Sequence, residues 1–205
     1  MVKKGKSNEI INLPPLISPT EEVAVEEHHP RYLEEYLYEV AIFTPHDAMA
    51  NSNDLTCVAI FGGYQQLAYI RPYKDMTWTF VIGMEWILFS EVVYQNNQFY
   101  ALTYKGALAC FSVTNPNLKL VAKEIPVDNK DNCCYYKNYL VEYGGELLQI
   151  RRYIVRPKCI LDPKTTMFKV FKWYFDGWLE MESLGDVALF LGDNSSGFPR
   201  QMTKF

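Results

Sequence analysis

The chain has 205 residues, 49% hydrophobic and 15% aromatic, with 20 Lys and Arg against 24 Asp and Glu for a net charge of −4. That is enough apolar material for one sizeable core and excludes global disorder, and the mild charge excludes steering of the whole molecule towards nucleic acid or an anionic membrane. No apolar run approaches the roughly 20 residues of a membrane span, residues 187–191 being among the longest.

The basic start, Met1 to Lys6, runs into Ser7, Asn8 and Glu9 where a signal peptide needs an apolar stretch. Glu21, Glu22, Glu26 and Glu27 come too early for a transit peptide, so nothing supports organelle import. Five cysteines, an odd number without an export signal, imply reduced thiols. The expectation is a soluble protein of the cytosol or nucleus, with no membrane partner and no cofactor.

Residues 1–30 contain Pro14, Pro15, Pro19 and Pro30 and a glutamate cluster, and read as a flexible tail ahead of a single domain over 31–205. Residues 31–40 fit either an amphipathic helix through Leu33, Leu37 and Val40 or the approach to a strand over 36–43, and the strand is preferred. A loop rich in Asn, Asp and Pro follows over 44–55. The next strands fall at 56–61, 66–71 and 77–82. A second unit runs 91–95, a tight Asn96-Asn97 turn, 99–104, 107–113 and, after an Asn115-Pro116-Asn117 turn, 119–125. A third gives 139–143, 146–155, 167–174 and 178–182, and residues 185–192 read as the first strand of another.

An aromatic residue recurs two positions before a glycine, with apolar residues at every second position upstream. The sets are Cys57, Ala59 and Phe61 before Gly63; Tyr100, Leu102 and Tyr104 before Gly106; and Tyr139, Val141 and Tyr143 before Gly145. Period two marks a strand and the glycine a hairpin turn. The spacing of roughly 40 residues suits propeller blades. The fold expected is all-β: a partial β-propeller of about three four-stranded antiparallel blades plus the first strand of another. Fewer blades than the usual four to eight would leave end sheets without neighbours and invite self-association through open edges.

The segments CVAIFGGYQQLAYIRP, EVVYQNNQFYALTYKGAL, YLVEYGGELLQIRRY and FKVFKWYFDGWLEMESLGDVALFLGDNSS resemble the plant F-box-associated β-propellers of the KIB type, a domain of unknown function, from about Cys57 to Ser196. The resemblance implies a protein-interaction propeller. Its F-box has no counterpart in residues 1–40, so a ligase adaptor is not an expected partner and the chain resembles a shortened member. The family's Arg-Pro-Gly-Asp turn is replaced by Arg71-Pro72-Tyr73-Lys74-Asp75, a longer loop without the glycine.

Catalytic and metal chemistry find little support. His28, His29 and His46 all precede the repeats, Cys133 and Cys134 lack the spacing of a zinc site, and Asp186 reads as a turn cap. The Gly62-Gly63 and Gly144-Gly145 pairs read as hairpin turns and not as phosphate loops, because neither opens a helix. Trp78 and Trp178 fall at outer strands and are expected to pack blade to blade. Trp86 and Trp173 are candidate surface anchors for a partner. Arg151, Arg152, Arg156 and Lys158, with Tyr153 among them, form a candidate basic strand within a segment, 119–172, of net charge +5. The leading reading is a non-enzymatic protein-interaction module. The alternatives are an RNA-binding or organellar accessory protein using that strand, or a truncated product without independent function.

Overall fold

The computed structural model describes residues 11–16, 37–43, 55–62, 65–83, 87–126, 135–155, 164–185, 188–189 and 191–192. Among these there are twelve strands and no helix: β1 (Leu37–Phe43), β2 (Thr56–Phe61), β3 (Gln66–Ile70), β4 (Thr79–Phe80), β5 (Phe89–Gln95), β6 (Gln98–Thr103), β7 (Leu108–Ser112), β8 (Asn115–Ala122), β9 (Tyr135–Tyr143), β10 (Glu146–Val155), β11 (Lys164–Tyr174) and β12 (Gly177–Met181). They form three four-stranded antiparallel sheets in simple sequential order, β1-β2-β3-β4, β5-β6-β7-β8 and β9-β10-β11-β12. Of the stretch 31–40, the described residues 37–40 are in a strand, which pairs Phe43 with Thr56 and Val40 with Ala59.

The sheets stack face to face, with the first strand of each on the inside: β1 meets β5 and β5 meets β9. The first seam buries Val58, Ile60, Leu67 and Tyr69 against Val92, Phe99, Ala101 and Phe111. The second buries Val93, Tyr100, Leu102 and Leu108 against Leu140, Leu147, Trp173 and Trp178. The middle sheet is therefore sandwiched, which is why β6 and β7 are apolar along most of their length; a strand covered on both faces has no polar side to alternate with. The outermost strand β8 alternates between exposed and half-buried positions from Asn115 to Lys119 and ends buried at Ala122. At that edge Ile82 donates to the Pro116 carbonyl (3.0 Å) and accepts from Leu118 (2.8 Å), tying the first sheet to the second.

The sheet ends are covered from within the chain. On the outer face of the first sheet Cys57, Ala59, Ala68 and Ile70 are at most 2% exposed. On the outer face of the third, Leu184, Leu189 and Leu191 pack over Tyr139, Leu148 and Ile150, and the Tyr139 hydroxyl donates to the Gly192 carbonyl at 3.1 Å. The described residues of 185–192 thus lie where a following blade would sit, though none of them is in a strand.

Two sequence readings need correction. The aromatic-x-glycine sets do not mark equivalent turns. The first two close the second-to-third strand hairpins, whereas Tyr143-Gly144-Gly145 closes the first-to-second hairpin β9–β10. Any hairpin needing a positive φ at its turn produces the same pattern, so the pattern cannot say which hairpin it marks. The counterpart of Gly144-Gly145 (φ 61° and 83°) is Asn96-Asn97 (φ 50° and 61°), both with the two positive φ values of a type I′ turn. The Asn115-Pro116-Asn117 stretch, read as a turn, is the start of β8. A proline is tolerated there because β8 is an edge strand.

Candidate interaction site

The sequence-derived site residues do not gather on one surface. Arg151 and Gln149 share strand parity with Leu147 and Tyr153, and this face of β10 turns into the second seam. Arg151 is fully buried there. Its guanidinium donates to Asn138 Oδ1 (3.2 Å) and to the Ile125 and Lys105 carbonyls (3.1 and 3.4 Å), and it stacks on Tyr136 with its carbon 4.5 Å from the ring centre. Arg152 points to the opposite face, where its Nε donates to Thr165 Oγ1 at 2.6 Å. The exposed basic strand expected from sequence is thus not formed by this pair: adjacent residues on a strand face opposite ways, and one of those ways is inward. Arg156, Lys158 and Trp86 lie outside the described residues, as do the histidines, Cys133, Cys134 and Asp186.

Trp173 is also placed inward, 5.4 Å from Tyr100 across the second seam, and is no surface anchor. Its cross-strand neighbour Trp178 donates to the Gly106 carbonyl of the middle sheet at 3.1 Å, the blade-to-blade role expected of it. The parity of Gln149 and Arg151 with Leu147 and Tyr153 was the signal that would have found the buried network.

The surface that sequence reasoning missed lies at the Asn96-Asn97 end of the first seam. A cavity of about 310 Å³ is lined by Thr56, Tyr94, Asn97, Phe99, Ser112, Val113 and Thr114. Four strands, β2, β5, β6 and β7, and two turns supply its lining. The Tyr69 hydroxyl on β3 donates to the Val113 carbonyl at 3.0 Å and so fixes the β7–β8 turn against the first sheet. The Asn96-Asn97 turn presents Asn97, whose Oδ1 accepts from the Tyr94 hydroxyl at 3.1 Å. Ser112 Oγ and Thr114 Oγ1 are 3.0 Å apart, and Ser112 Oγ also accepts the Asn115 amide at 3.1 Å. Phe99, tilted against Tyr94 at 4.8 Å and stacked on Phe111 at 5.1 Å, makes an aromatic floor.

This lining is neutral. It offers hydroxyls and an amide over aromatic carbon, a set suited to orienting a polar side chain or main chain by hydrogen bonds worth roughly 1 kcal/mol each. Among the described residues no three His, Cys, Asp or Glu side chains come together to hold a metal. Also among them, no helix is long and apolar enough to cross a membrane. Away from this end, the Arg71 guanidinium grips both oxygens of Asp75 (2.6 to 3.2 Å) and the Lys74 and Asp75 amides return to the Arg71 carbonyl (2.9 Å each), so the lengthened 71–75 loop closes without a glycine.

Sequentially ordered four-stranded sheets, stacked face to face with their first strands innermost, define a partial β-propeller. The sequence model of the KIB1-4 beta-propeller family matches residues 4–204, and the chain belongs to that family. It is similar to the Arabidopsis thaliana F-box protein At2g26160, 33% identical over 112 residues covering 52% of this chain and 33% of the relative. It is also similar to the F-box protein SKIP23 of the same plant, 26% identical over 149 residues, 64% of this chain and 34% of the relative. A third similar protein, the putative F-box protein At5g60060, is 25% identical over 155 residues, 72% of this chain and 39% of the relative. The chain therefore spans about a third of the length of the curated relatives it matches. No solved structure matches it.

Proposed function

We propose that this chain is a non-enzymatic protein-interaction module that binds another protein through the Asn96-Asn97 end of the first seam. The observation that carries the reading is the cavity there, where an exposed Asn97 and the Ser112 and Thr114 hydroxyls surround an aromatic floor and no ionisable acid–base pair is present. Recognition without chemistry needs only such neutral donors and acceptors on a rigid frame. The relatives are F-box proteins by name, and in this reading the propeller is the part of such a protein that recognises a partner. RNA binding gains no support from β10, because Arg151 faces the core.

Affinity capture with the native chain and with Asn97→Arg tests this. The bulky cation at the cavity mouth should lower recovery of the partner at least about tenfold, whereas Lys119→Glu on the exposed part of β8 should leave it unchanged. Equal recovery by all three proteins would overturn the assignment.

A further inference from the structure

Residues 11–16, Ile-Asn-Leu-Pro-Pro-Leu, lie in the part of the sequence read as a flexible tail, yet they have a defined place. The carbonyl of Pro14 accepts the indole N–H of Trp78 at 2.9 Å. Pro14 and Leu16 are half-buried, and the segment is in neither helix nor strand. Pro14 and Pro15 fix φ near −65°, and each proline biases the residue before it to extended geometry. Leu13 and Pro14 are therefore preset for a polyproline II conformation, which makes no internal hydrogen bonds and leaves its carbonyls seeking donors. An aromatic surface that supplies such a donor is how proline-rich peptides are generally recognised.

Trp78 immediately precedes β4, at the edge of the first sheet. The Arg71–Asp75 clamp closes the loop immediately before it, and Phe80, two residues beyond, packs on Phe61 with ring centres 5.6 Å apart. Ile11 and Leu13 are each 37% exposed, so the apolar side chains of the segment are only partly buried.

We propose that this corner of the first sheet is a binding site for an extended Leu-Pro-Pro-Leu-type peptide, filled in the isolated chain by residues 13–16 and taken over by such a segment of a partner protein. This deepens the interaction role proposed above and rests on it. A tethered occupant competes at an effective concentration on the order of 1 mM, so a partner's proline segment displaces it only when a second contact, such as the Asn97 cavity, holds the partner in place. The native segment thus acts as a built-in competitor that raises the threshold for weak partners.

The test uses the full chain labelled with ¹⁵N, the Trp78 indole signal being assigned by its loss in Trp78→Phe. The Pro14→Gly/Pro15→Gly variant should shift that signal, and a synthetic peptide of residues 9–18 should return it to the native position. The peptide should bind this variant about tenfold or more tighter than it binds the native chain, and should not bind Trp78→Phe. An indole signal unmoved by the double substitution, or restored equally by a peptide with both prolines replaced by alanine, overturns the proposal. A native chain found as a dimer that the peptide dissociates places the segment in a second copy and overturns the partner assignment. Failure of peptide binding with Asn97-dependent capture intact removes this proposal alone; loss of that capture with peptide binding intact removes the interaction reading at the cavity.

Discussion

Trp178 of the third sheet donates its indole N–H to the carbonyl of Gly106 in the second, 3.1 Å away across the seam. The two carbonyls before it are gripped from the same side, Tyr104 by Asn138 Nδ2 at 2.8 Å and Lys105 by Arg151 at 3.4 Å. One hairpin turn of the middle sheet is thus held by three donors of the third. Trp178→Phe keeps most of the ring contact and removes one donor, and should lower the unfolding free energy by about 1 kcal/mol in urea titration. An unchanged midpoint would mean that water replaces the indole without cost.

Gly106 itself has no room for a side chain. Its φ is +92°, and a Cβ there would lie 2.5 Å from Gln149 Nε2 and 3.1 Å from an Arg151 nitrogen. Gly106→Ala should cost about 2 to 4 kcal/mol, combining backbone strain with displacement of a buried amide. Gly145→Ala, with φ +83° but nothing within 4 Å, should cost about 1 kcal/mol, the backbone part alone. Thermal melts of the two variants measure the difference.

The buried position of Arg151 separates it from its neighbour. Arg151→Ala leaves Asn138 Oδ1 with one donor fewer and opens a cavity between Tyr136 and Phe171, and should destabilise by about 3 kcal/mol or more. Arg152→Ala, on the outer face of the sheet, should cost about 1 kcal/mol or less. Equal losses in the two variants would contradict the assigned faces.

The Arg71–Asp75 pair predicts a pH dependence. Hydrogen bonds from Arg71 hold the Asp75 carboxyl below its ordinary value, so the folded state favours the ionised form. The stabilisation is present above the unfolded carboxylate value of about 4 and is lost as pH falls through the lower folded value. Asp75→Asn should therefore cost no more than about 1 kcal/mol at neutral pH, since the pair is partly exposed, and the gap to the native chain should close in acid. A gap that stays constant from pH 7 to pH 3 would show that the carboxylate charge contributes nothing.

Much of the fold was legible in the sequence because hairpins announce themselves locally. The Asn96-Asn97 turn, the β10 strand and the blade-to-blade role of Trp178 all follow from turn chemistry, strand period and aromatic size. The blade phase was not legible, since Gly106 and Gly145 look alike in sequence and close different hairpins. The inward direction of Arg151 was signalled only by its strand parity with Leu147 and Tyr153, while its partners, Asn138 and two carbonyls far along the chain, follow no local pattern. The cavity joins residues from Thr56 to Thr114 that no local pattern links.

The most direct measurement for the interaction role is photo-crosslinking from a reactive side chain introduced at position 97, with position 119 on β8 as the comparison. The account predicts a discrete adduct between this chain and a different protein from position 97 and none from position 119. Adducts formed equally from both positions, or only with further copies of this chain, would contradict it.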